Sequence, residues 1–113
     1  MITIYGIPNC DTVKKARTWL DERAIAYTFC NFKTLGVDRA KLGQWAQALG
    51  WQALLNRQGT TFRKLAPEEK AGLDELRALA LMAAHPSAIK RPVVEHDGGL
   101  LVGFEPATWE RAL

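Results

Sequence analysis

Cysteine is scarce in this chain of 113 residues, with only Cys10 and Cys30. Two thiols cannot build the disulfide framework of a small secreted domain, and they cannot complete a zinc site by themselves. His85 and His96 stand in no ligand spacing with them, so no metal is expected. Charge of one sign is also in short supply, since 15 Lys plus Arg against 12 Asp plus Glu leave a net +3. Acidic residues interleave with basic ones, as in Asp21-Glu22-Arg23 and Asp74-Glu75-Leu76-Arg77. Without a clustered basic stripe, direct binding to nucleic acid is not expected. Long apolar runs are missing too: nothing approaches the roughly 18 residues that would span a bilayer. The segment Met1–Tyr5 has neither the basic region nor the long apolar stretch of a signal peptide. A cytoplasmic protein with no membrane association is the expectation. Thiols stay reduced in that compartment, so the cysteines are expected to serve chemistry rather than cross-linking.

What is present is 48% hydrophobic residues in a length that suits one domain, residues 1–113, with a core needing no staples. Ile2-Thr3-Ile4-Tyr5 reads as a strand closed by the turn formers Gly6-Ile7-Pro8-Asn9. From about Asp11 to Arg23, Val13, Ala16 and Leu20 share a helical face, and Ile25–Cys30 then reads as a second strand. Strand, helix and strand make a βαβ unit with parallel strands. A helical insertion over about 36–89 follows. Asp38 caps a helix carrying Leu42, Trp45, Ala46 and Leu49, and Gly50 ends it. A polar loop spans 56–61, and Pro67-Glu68-Glu69 opens a helical region through Leu73, Leu76, Leu79 and Met82. Pro92–His96 and Leu100–Val102 flank Asp97-Gly98-Gly99, a hairpin expected to use a type I′ turn. Pro106 starts a last helix, Ala107–Leu113. The expected architecture is α/β, a four-stranded mixed sheet with a helical insertion after its second strand. The four tryptophans are read as packing between insertion and sheet.

Cys10 carries the chemical interest. It follows the first strand and its turn and immediately precedes a helix, so its sulfur is expected among the unpaired N–H groups of the first turn. That setting, with Lys14 nearby, favours a thiolate over a buried inert thiol. The C-terminal edge of parallel strands is also where α/β folds place ligands. Cys30, ending the second strand on the same edge, is either core filling or a distant resolving thiol.

The segment Tyr5-Gly6-Ile7-Pro8-Asn9-Cys10-Asp11-Thr12-Val13-Lys14-Lys15-Ala16 resembles the active-site segment of the ArsC/Spx family of thioredoxin-like proteins. So do residues 56–65 (Asn56-Arg57-Gln58-Gly59 onward), Ile89-Lys90-Arg91-Pro92-Val93-Val94, and Leu101-Val102-Gly103-Phe104. The resemblance covers the chain in order and spacing and is nearest to the small YffB-type members. It implies a thioredoxin/glutaredoxin-like sheet, a nucleophile at Cys10 and a cis-proline at Pro92. Of three arginines that hold the oxyanion in arsenate reductases, it places two at Arg57 and Arg91, while the third position is taken by Glu105. A carboxylate there opposes a doubly charged arsenate. Val13 stands where the Spx-type Cys-x-x-Cys switch has its second cysteine.

A single thiol implies an external one. The resemblance therefore implies a glutathione-dependent thiol reductase acting through a mixed disulfide at Cys10. No cofactor is expected to be bound; glutathione is the co-substrate, and the substrate is a small oxyanion or a protein disulfide. Contacts to glutathione or substrate are expected from Asn9, Thr12, Lys14, Arg57, Arg91, Pro92, Gly103 and Phe104. Two alternatives are a glutaredoxin-coupled arsenate reductase and an Spx-like regulator that binds RNA polymerase without a redox switch.

Overall fold

A computed structural model describes residues 1–113. Four strands, β1 (Thr3–Gly6), β2 (Thr28–Asn31), β3 (Val93–His96) and β4 (Gly99–Val102), form one mixed sheet in the order β2-β1-β3-β4. β1 and β2 run parallel and are joined through helix α1 (Asp11–Glu22), while β3 is antiparallel to both β1 and β4. Helix α2 (Phe32–Leu35) follows β2, and α8 (Pro106–Ala112) follows β4. These are the α/β class and mixed sheet the patterning predicts.

The chain divides into two compact units, residues 1–35 with 91–113, and residues 36–90. In the first unit, alternate strand positions point to one side, where Ile4 and Val94 meet Ala16, Trp19 and Leu20 of α1 and Trp109 of α8, all nearly or fully buried. The 3.6-residue period of α1 delivers that face. Trp19, Phe104 and Trp109 pack edge-to-face, with ring centroids 4.8–6.4 Å apart. Two of the four tryptophans, Trp19 and Trp109, thus belong to the sheet unit's own core, and Trp45, on α3, is buried. The expectation of packing between insertion and sheet is corrected for Trp19 and Trp109.

The second unit is helical: α3 (Arg39–Leu49), α4 (Trp51–Leu54), α5 (Thr60–Arg63), α6 (Pro67–Lys70), α7 (Glu75–Ala84) and a 3₁₀ turn at Pro86–Ala88. Asp38 caps α3 by accepting from the Ala40 N–H at 3.2 Å. Leu42, Trp45, Leu54, Met82 and Ile89 are this unit's largest fully buried side chains.

Four local expectations are corrected. The second strand starts at Thr28, not Ile25, because the Ile25 N–H bonds back to the Leu20 carbonyl and Ala24 takes φ +55°, so 23–27 serve as the helix exit. The supposed loop at 56–61 turns into α5 at Thr60. The helical region from Pro67 is two helices, because Asp74 caps a fresh one by accepting from the Arg77 N–H at 2.9 Å. The hairpin loop is Asp97-Gly98, but the positive φ falls on Gly99 at +144°, so the turn is not type I′.

Candidate active site at Cys10

Three segments of the first unit meet at one edge of its sheet. Tyr5 pairs with Val93, and Val93 pairs with Val102, so the residues just beyond them come into line: Gly6 leading to Cys10, Arg91-Pro92 preceding β3, and Gly103-Phe104 after β4. The Gly103 N–H donates to the Pro92 carbonyl at 2.9 Å, closing this edge, and the Arg91–Pro92 bond is cis. Gly6 lets the helix approach: a Cβ there would stand 2.8 Å from Val13 Cγ2. With no side chain at Gly6, the start of α1 sits directly against the end of β1.

Cys10 is the N-cap of α1, in extended conformation, with its N–H donating to the Ile7 carbonyl at 3.2 Å and its carbonyl accepting from Lys14 N–H at 2.9 Å. Its side chain closes no conventional cap bond. The sulfur instead faces the Val13 and Thr12 N–H groups and the Arg91 guanidinium. Partial burial pushes the thiol pKa up. The Val13 N–H, the Arg91 hydrogen bond, the Arg91 charge and the Thr12 N–H outweigh it, and the net displacement is downward. Each of these groups favours the thiolate, the form that attacks disulfides.

The other expected site residues fall into three groups. Thr12, Arg91, Pro92 and Gly103 lie with Cys10 at the sheet edge, and Asn9 is exposed in the turn just before it. Gly103 is engaged at both backbone groups, since its carbonyl also accepts from Trp109 Nε1 at 3.2 Å. Lys14 and Phe104 line a groove beside α1. Arg57 belongs to the helical unit, exposed after the bridge between Leu55 and Ile89, its guanidinium 5.5 Å from the Trp51 ring centre. It lines a cavity of about 330 Å³ together with Lys90, Gln52 and Asn56. Lys90 is not among the expected contacts, although it stands in the Ile89–Val94 segment that carries the resemblance. Glu105 is the exposed N-cap of α8 and makes no side-chain cap bond.

Cys30 is a partly buried free thiol on β2, in register with Tyr5. No three His, Cys, Asp or Glu side chains gather as a metal set requires. No helix is long and apolar enough to cross a membrane.

Comparison with known proteins agrees with this fold. A solved YffB protein is 55% identical, covering 100% of this chain and 99% of its own, with a TM-score of 0.97. An arsenate reductase (ArsC) related protein from Brucella melitensis is 51% identical, covering 97% of this chain and 92% of its own, at a TM-score of 0.78. The global transcriptional regulator Spx of Bacillus subtilis is 29% identical over 107 residues, 92% of this chain and 80% of that protein. The family model that matches residues 5–112 is that of the ArsC family, and this chain is a member of it.

Proposed function

We propose that the protein is a glutathione-dependent thiol reductase that uses Cys10 as its single nucleophile. The observation carrying this reading is the set of groups around the sulfur: two N–H groups of the first turn of α1 and the Arg91 guanidinium, all favouring the thiolate. The Cys10 thiolate attacks one sulfur of a mixed disulfide between substrate and glutathione, forming a Cys10–glutathione disulfide. The substrate thiolate leaves and takes a proton from water. A glutathione thiolate then attacks that intermediate, releasing Cys10 and oxidised glutathione. The substrate disulfide is reduced and one glutathione is consumed.

Glutathione carries two carboxylates, and a guanidinium offers a planar fork matched to one of them. Arg91 supplies it in this reading, with Asn9, Thr12 and Lys14 as further contacts; the Gly103 N–H bonded to the Pro92 carbonyl holds the neighbouring backbone in place. Phe104 adds apolar surface beside them. Arg57 provides, with Lys90, an anion contact on the helical unit. Arsenate is the weaker reading, because Glu105 stands where the resemblance puts a third cation. Polymerase binding without a redox switch is the reading that similarity to Spx leaves, and a polymerase pull-down decides it.

The test is to follow Cys10 alkylation against pH, then to ask by mass spectrometry whether oxidised glutathione adds to it. Expected are a midpoint below that of free cysteine and one glutathione on Cys10. Thiol-transfer turnover retained in Cys10→Ser would overturn the reading.

A further inference from the structure

One helical turn beyond Cys10, α1 borders a groove that begins at Lys14. Lys14, Thr18 and Glu22 follow Cys10 at intervals of four, so they form one stripe along the helix. The stripe is continuous in its bonding as well: the Lys14 N–H donates to the Cys10 carbonyl, and Thr18 Oγ1 donates to the Lys14 carbonyl at 3.0 Å. Opposite stand Phe104 and Pro106, from the segment joining β4 to α8, and Trp19 closes the floor. It is a shallow, open groove of about 380 Å³. Phe104 is only partly buried and offers the aromatic surface, packed edge-to-face on the buried rings of Trp19 and Trp109.

Its charge is polarised. Lys14 and Lys15 stand at the end nearest the thiol, and Glu22 at the far end. From Cys10 to Trp19 the helix advances about 13 Å, which an extended peptide covers in about four residues. Glutathione has no apolar side chain to fill this space and is a tripeptide, so the stretch of the groove from Thr18 to Glu22, past Lys14, lies beyond what the co-substrate uses.

We propose that this groove selects protein or peptide disulfides in which a bulky apolar side chain lies about four residues from the reacting cysteine and an acidic residue lies beside that cysteine. The inference rests on the mixed-disulfide reading and specifies its substrate class. The apolar side chain enters between Phe104 and Thr18, and the acidic one meets Lys14 and Lys15.

The probe is a synthetic peptide with one cysteine capped as a mixed disulfide with thionitrobenzoate, glutamate on both sides of the cysteine, and leucine four residues away in each direction. Cys10 attacks the peptide sulfur, forming a Cys10–peptide disulfide and releasing thionitrobenzoate, whose absorbance gives the rate. Control peptides carry serine for both leucines, or lysine for both glutamates. The leucine peptide is expected to react about tenfold faster than the serine one. Thr18→Phe, which fills the groove, is expected to remove that advantage, and Lys15→Glu to remove the preference for glutamate over lysine. Both variants should keep the wild-type rate toward hydroxyethyl disulfide. Equal rates for the three peptides, with hydroxyethyl disulfide still attacked, would overturn this inference alone. Release from none of the disulfides would overturn the mixed-disulfide reading and this inference with it.

Discussion

The Arg91 guanidinium faces the Cys10 sulfur from the residue that enters the cis bond to Pro92, acting on it both as hydrogen-bond donor and as charge. The thiol of α1 and the start of β3 are therefore coupled electrostatically, across 81 residues of sequence. The N–H groups of Thr12 and Val13 come free with the helix, but Arg91 is a side chain that can be removed.

Arg91→Ala should raise the Cys10 pKa while leaving the N–H contribution in place. Alkylation by iodoacetamide is then slower than wild type near neutral pH, and the two rates converge once both thiols are fully ionised, above about pH 10. Equal rates at all pH values would show that the guanidinium does not act on the sulfur. Arg91→Lys should fall between them, keeping the charge without the planar fork.

The same displacement has a consequence for stability. A thiol whose pKa is lower folded than unfolded is held by fewer protons in the native state, so stability rises with pH through the window between the two values. It levels off above the unfolded value of about 8.5. Denaturation midpoints of wild type and Cys10→Ser, compared from about pH 5 to 10, should show wild type gaining relative to the serine variant across that window, with the gain lost as pH falls through the folded pKa.

Gly6→Ala places a Cβ at 2.8 Å from Val13 Cγ2, too close for the stiff valine side chain to evade. The start of α1 must move away from β1. We expect a loss of about 1–3 kcal/mol in chemical denaturation, together with slower alkylation of Cys10, because the Val13 N–H moves with the helix.

Two caps in the helical unit can be compared directly. Asp74→Ala removes acceptance from the Arg77 N–H at 2.9 Å, and Asp38→Ala removes acceptance from the Ala40 N–H at 3.2 Å. Each should cost about 1 kcal/mol by urea unfolding, with no change in Cys10 alkylation.

Trp109→Phe keeps most of the aromatic packing but deletes the indole N–H that bonds the Gly103 carbonyl at 3.2 Å. Leaving that buried acceptor without its donor is expected to destabilise the fold by about 1–3 kcal/mol, again read by urea unfolding.

The βαβ unit, the hairpin and the mixed sheet were legible because their signals are local: a 3.6-residue period at Val13, Ala16 and Leu20, and Asp97-Gly98 between apolar runs. The break between α6 and α7 was hidden because Leu73, Leu76, Leu79 and Met82 carry a helical period straight across it. Gly72, at φ +61°, and Asp74 were the signals that compete with that period. Ile25 looked like a strand residue for a related reason, since β-branched character does not reveal that its N–H is already spent on Leu20. At the site, the position of Cys10 at the start of α1 was legible from turn and helix start alone. Arg91 was not, because its approach to the sulfur depends on a pairing of β1 with β3 between residues far apart in sequence; only the family resemblance pointed to it. Thr18 and Trp19 went unnoticed as groove residues because one reads as solvated surface and the other as core.

The four indoles are shared evenly between the two compact units, Trp19 and Trp109 in one, Trp45 and Trp51 in the other. Intrinsic fluorescence therefore reports on both units at once. A variant lacking the first pair leaves an optical signal from the helical unit alone, and a variant lacking the second leaves one from the unit that carries Cys10. Overlaying the two melting curves would measure whether the sheet and the helical unit lose their order together or in turn.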